Sequence, residues 1–200
     1  MKAFFDRAFR PLVHLAALAP LALLAWDALN NNLTINPIQA AMQRSGKTAL
    51  VLLVLSLACT PLNAIFGFKP ALRVRRALGL YAFLYASLHF AIFMALDYGL
   101  DLPLLWQDAL KKPYALVGFA AGLILLALAI TSFKYWQKRL GRRWKSLHRL
   151  AYLAGILVIV HYTWVVKADI RQPLAWAAII LLLLLLRLPA MRDMRKRGAV

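Results

Sequence analysis

The chain has 200 residues, 63% of them hydrophobic, a mean hydropathy of +0.68 and a formal net charge of +18. That balance is too apolar for an ordinary soluble domain, and the cations lie between apolar runs rather than along one nucleic-acid-binding face. The single cysteine, Cys59, excludes an intramolecular disulfide and a cysteine-held metal cluster, and is read as a small buried residue.

In chain order, residues 1–10 form a short basic lead. Leu12–Leu29 is apolar and is read as a retained first helix kinked at Pro20, with no small-residue cleavage motif before Asp27. A polar connection, Asn30–Lys47, leads to a second span over residues 48–68, interrupted at Thr60-Pro61. After the basic turn KPALRVRR come a third span at 77–96 and an Asp-containing loop to Lys112. The fourth span is 114–133, followed by the basic loop KYWQKRLGRRWK. The fifth is 147–166, and after a short turn the sixth is 173–188, near the lower limit for crossing about 30 Å of hydrocarbon. No internal repeat is visible. The expectation is one all-α membrane domain over 1–200, a six-helix bundle.

Six spans place both termini on one side. That side carries 19 of the 25 Lys and Arg, and the other carries five of the seven Asp. The positive-inside rule then makes both termini cytoplasmic.

The spans hold few ionisable groups, and a histidine inside a membrane helix points to a functional site. His89 lies 13 residues into the third span from Arg76, and His161 lies 12 residues beyond Arg149 in the fifth. The two imidazoles therefore fall at nearly equal depth in the outer half of the membrane, where they can clamp one haem from both faces. His148 lies about 20 Å inward of His161 along the helix axis and about 140° around it. It reads either as a ligand of a second, inner haem or as an interfacial residue beside lipid phosphates. The third span offers it no matching histidine; Arg75 and Arg76 stand at that level. His14 has no matched partner and is read as structural.

The basic turns set topology and meet anionic headgroups. They also offer Arg73, Arg75, Arg76, Arg142, Arg143 and Lys145 as a docking face for a flavin phosphate or a reductase. No glycine-rich nucleotide fingerprint is present, so the reductant is another molecule. Tyr81, Tyr85, Tyr162 and Trp164 either pack near the haem or serve as ordinary bundle and interfacial aromatics.

The segments TPLN at 60–63, RRALGLYAFLYASLHF at 75–90, KKPYALVGFAAG at 111–122, LAITSFKYWQKRLGRRWKSLHRLAYL at 128–153 and HYTW at 161–164 resemble the MsrQ (YedZ) family of the ferric-reductase-like transmembrane superfamily. The resemblance implies a six-helix bacterial inner-membrane protein binding haem b, one or two per chain, and FMN. Its implied haem ligands are His89, His148 and His161. It implies electron delivery from quinol or a cytosolic flavin reductase to a periplasmic molybdenum-containing methionine sulfoxide reductase that repairs oxidised proteins. The wider superfamily stacks two haems between two helices bearing two histidines each; here the third span has only one. The other readings are a stand-alone transmembrane ferric or oxygen reductase and a non-redox membrane scaffold. Methionine sulfoxide chemistry itself is not expected in this chain.

Overall fold

The computed structural model describes residues 2–166 and 169–187, with side chains from Ala8 onward. The basic tail from Met191, the end of the sixth span at Leu188 and Lys167 lie outside the described residues. Among the described residues every regular element is helical. This is the solution a chain adopts when no water is available to its backbone.

Helix α1 (Lys2–Leu29) precedes a short polar loop. Helix α2 (Pro37–Phe66) begins earlier than its apolar stretch, because Asn36 caps it by accepting from the Gln39 N–H at 3.1 Å and Pro37 supplies the first turn. It ends at Gly67, whose φ of 65° is the left-handed region glycine favours, with its N–H on the Asn63 carbonyl at 3.0 Å. The expected break at Thr60-Pro61 does not occur: α2 runs through Pro61. Proline leaves the carbonyl four residues back, Leu57 O, without its helical donor, and the Arg187 guanidinium donates to it instead.

Helix α3 (Lys69–Ile92) continues into a π-helical turn, Phe93–Asp97. The Asp loop contains α4 (Leu102–Lys111), capped by Asp101. Then come α5 (Pro113–Ile130), two short helices in place of the expected basic loop, α6 (Lys134–Leu140) and α7 (Arg142–His148), and finally α8 (Leu150–Val165) and α9 (Arg171–Leu185). Among the described residues, four helices are long and apolar enough to cross a membrane: Ala8–Leu29 of α1, α2, Lys69–Asp97 and α5. At 16 and 15 residues, α8 and α9 are shorter.

Two antiparallel hairpins form the centre, α2 against α3 and α5 against α8, and they pack on each other through α3–α5 and α2–α8. The core between them holds Leu53 and Leu57 of α2, Leu78 and Ala82 of α3, Leu125 of α5 and Ala154 of α8. Helix α1 lies along α3 in the same direction, with Phe9 on Phe68 and the Tyr85 hydroxyl donating to Ala17 O at 2.7 Å. Helix α9 runs antiparallel to α8: Tyr162 donates to Gln172 at 3.0 Å, and Arg187 to Tyr152 at 2.6 Å. One end of the bundle thus gathers Phe9, the 67–68 turn, α6, α7 and Arg187. The other gathers the 30–36 loop, the π turn, α4 and residues 169–170. Leucines stay exposed on the outer faces, among them Leu15, Leu55, Leu123 and Leu181, the surface a bilayer would cover.

Candidate functional site

At the end away from the basic turns, α3 carries His89 and α8 carries His161. Their ring centroids are 6.2 Å apart and their planes meet at 87°. An imidazole nitrogen binds a metal at about 2.0 Å and sits about 1.1 Å from its ring centroid, so two imidazoles on opposite faces of one metal stand about 6 Å apart. The observed spacing matches.

The outer nitrogens fix the tautomers. His89 Nδ1 is 2.9 Å from Met42 O, and His161 Nδ1 is 2.8 Å from Tyr114 O. A carbonyl only accepts, so each Nδ1 carries the proton and donates it. Each Nε2 is left with a free lone pair, the form that ligates iron. The Ser45 hydroxyl beside it donates to Ala41 O at 2.8 Å, which leaves the second lone pair of Met42 O to His89.

The two halves of this arrangement repeat. Each histidine lies 47 residues after the residue whose carbonyl it uses. Each ring also rests on a glycine of the facing helix, four residues after that carbonyl: Gly46 under His89 and Gly118 under His161. The second set follows the first by 72 residues (161 less 89, 118 less 46, 114 less 42). Ala82 and Ala154, separated by the same interval, are both fully buried. The chain therefore does contain an internal repeat, of two helical hairpins. Too few positions coincide for it to be visible as sequence similarity.

His148 stands apart, at the basic end on α7. The chain breaks at Arg149, between α7 and α8. The Thr131 hydroxyl donates to Ala127 O at 2.7 Å, so the 3.1 Å contact with His148 Nε2 places the proton on that nitrogen. Trp144 stacks on the ring at 4.1 Å between centroids and donates its indole N–H to Thr131 O at 2.8 Å. By the 72-residue interval, the position matching His148 is Arg76.

His148 lines a cavity of about 350 Å³ with Arg75, Arg76, Lys145, Arg149 and Arg187, and no acidic side chain joins them among the described residues. Arg187 spends its two terminal nitrogens on Tyr152 and Leu57, while its buried Nε has no partner among the described residues. Of the expected docking cations, Arg75, Arg76 and Lys145 face this cavity; Arg73, Arg142 and Arg143 do not line it. His14 pairs with Tyr81 at 2.9 Å and joins α1 to α3, which accords with a structural role. Tyr85 and Tyr162 likewise tie helices together, and Trp164 is exposed. The aromatic ring beside His161 is Tyr114, at 6.4 Å, which the sequence did not single out.

Residues 45–159 match the family described as ferric reductase like transmembrane component. The chain is 44% identical over 183 residues to the protein-methionine-sulfoxide reductase heme-binding subunit MsrQ of Xanthomonas axonopodis pv. citri (strain 306), covering 88% of this chain and 84% of that one. It is 41% identical over 192 residues to the protein of the same name from Bordetella pertussis (strain Tohama I), covering 95% and 92%.

Proposed function

This chain belongs to the MsrQ family and carries a ferric-reductase-like transmembrane domain, and from that premise we propose that it holds a b-type haem between His89 and His161 and serves as the membrane electron-transfer subunit for a periplasmic molybdenum-dependent methionine sulfoxide reductase. The observation that carries this reading is the histidine pair: 6.2 Å apart, each with its Nδ1 proton committed to a helix carbonyl. Haem supplies one-electron transfer when bound. The chain's own part is to fix the two imidazoles in the ligating tautomer and to surround them with apolar helices that keep water out.

Topologically, the protein spans the bacterial inner membrane six times with both termini cytoplasmic. The alternating helix directions and the gathering of basic turns at one end support this. Helices α8 and α9 rise only about 24 and 22 Å, so the bilayer or flanking segments accommodate the difference.

At the cytoplasmic end, the cationic cavity receives the phosphate of FMN. Its volume lies within the range of small-molecule pockets, and the buried Arg187 Nε, without a partner among the described residues, is a donor that an anion can meet. His148, held by Thr131 and stacked on Trp144, forms the wall of that cavity, and the chain carries one haem. Electrons enter there from a quinol or a cytosolic flavin reductase and leave from the histidine end toward the partner.

The test is a dithionite-reduced minus oxidised spectrum of the detergent-solubilised protein with pyridine haemochrome quantitation. A b-type spectrum at one haem per chain is expected. A colourless protein from cells well supplied with haem would overturn the reading.

A further inference from the structure

We infer that Gly46 and Gly118 are positioning residues for the clamp: each exposes the helix carbonyl to which its histidine donates, and so sets how both imidazoles face each other. The inference rests on the reading of His89 and His161 as haem ligands.

The physical reason begins with helix geometry. Every Cα–Cβ bond in an α-helix leans toward the N-terminus, so a side chain covers the turn before its own Cα. A carbonyl in that turn already accepts one bond from the N–H four residues on. It has a second lone pair, but the side chain at that fourth position shields it. Met42 O lies four residues before Gly46, and Tyr114 O four before Gly118. With no Cβ at either glycine, an imidazole from the facing helix settles against the backbone and reaches the spare lone pair at 2.9 and 2.8 Å.

The fit is tight and unequal. A Cβ on Gly118 would stand 2.7 Å from His161 Nδ1 and 2.8 Å from its Cε1. A Cβ on Gly46 would stand 3.1 and 3.3 Å from the same atoms of His89. The first cannot be borne without moving the ring; the second needs a shift of a few tenths of an ångström. Gly122, one turn beyond Gly118 on the same helix, would meet nothing within 4 Å. Glycine is among the poorest helix formers, so its appearance at the same step of both hairpins, under both rings, calls for a use. Ring contact supplies it.

Donation of Nδ1–H to a carbonyl makes an imidazole a more basic ligand, which favours ferric over ferrous iron. Pushing the ring off its carbonyl therefore raises the haem midpoint potential. It also changes the angle between ring planes, which the low-spin electron paramagnetic resonance spectrum of the oxidised protein reports.

The experiment compares the purified full chain with Gly118→Ala, Gly46→Ala and Gly122→Ala by haem content, redox titration and electron paramagnetic resonance. The expected result is a raised potential and a displaced low-spin signal in Gly118→Ala, a smaller change of the same sign in Gly46→Ala, and none in Gly122→Ala. If Gly118→Ala does not accumulate in membranes, Gly46→Ala, which needs the smaller shift, decides. Wild-type potential and spectrum in the glycine variants that bind haem would overturn the inference. His161→Ala is measured alongside: full haem retention there would fail the ligand assignment itself, a result separate from the glycine outcome.

Discussion

The two ends of the bundle stand at matching steps of α3 and of the α7–α8 segment, and they differ in chemistry. Positions 89 and 161 face each other at one end; positions 76 and 148, each 13 residues earlier, stand at the other. At the first level both are histidines, held by carbonyls with their lone pairs free and surrounded by apolar helices. At the second level one is arginine, the other is a histidine whose Nε2 is engaged by Thr131, and five cations line a shared cavity. A matched neutral pair suits a metal centre in low dielectric. A cluster of donors with no acidic partner among the described residues suits an anion. Arginine in place of histidine at position 76, the break between α7 and α8 at Arg149 and the surrounding cations separate the two.

The largest effect that would sharpen this contrast is loss of haem. His89→Ala and His161→Ala each remove one of the two residues proposed to hold the haem, and each is expected to lower haem per chain to near zero in the pyridine haemochrome assay while the protein stays in the membrane. Substantial haem in either variant would erase the distinction between the ends.

The next effect belongs to the basic end. Arg76→Gln removes a charged donor from the cavity, and a hydrogen bond to a charged group contributes about 1.5–3 kcal/mol. FMN affinity measured by fluorescence is expected to fall at least about tenfold, with haem content unchanged. Equal loss of both cofactors would mean the two ends are one site.

His148→Ala should change less. It removes a ring stacked on Trp144 and a bond to Thr131, so haem per chain and midpoint potential are expected to match wild type, with flavin binding modestly weakened. Loss of haem in this variant would make the ends alike.

The smallest effect lies outside the spans, on α4 at the histidine end. The Lys112 ammonium and then the Tyr98 hydroxyl hold the Asp108 carboxyl below its usual range by hydrogen bonding. A depressed carboxyl contributes stability that is present above its unfolded value and lost as pH falls through the folded one. The protection factors of α4 amides, their exchange corrected for the intrinsic rate at each pH, should therefore fall in acid in the wild type, while Asp108→Asn shows little of that pH dependence. The site is half-buried on α4, outside the spans, so the change is local and haem content should not respond.

Much of this is legible in the sequence, for definite reasons. Depth follows from counting residues along a helix of fixed rise, so the matched levels of His89 and His161 follow from residue numbers alone. The 140° separation of His148 from His161 is equally readable, and the chain breaks the helix between them at Arg149. Helix limits are less accessible: α2 starts at a cap and proline inside a polar stretch, and at Pro61 the donor missing from Leu57 O is supplied by Arg187, 130 residues away. The glycines are silent because a lone helical glycine has no meaning until the ring that rests on it is known. Their one signal is the equal spacing of Gly46–His89 and Gly118–His161, which becomes visible only after the histidines are paired.

The central claim is that His89 and His161 ligate one haem from opposite faces. Electron paramagnetic resonance of the oxidised full chain at low temperature tests it most directly. The expected spectrum is that of a single low-spin species with two imidazole ligands in strongly inclined planes, following the 87° between the rings. A high-spin, five-coordinate signal, or two distinct low-spin haems per chain, would contradict it.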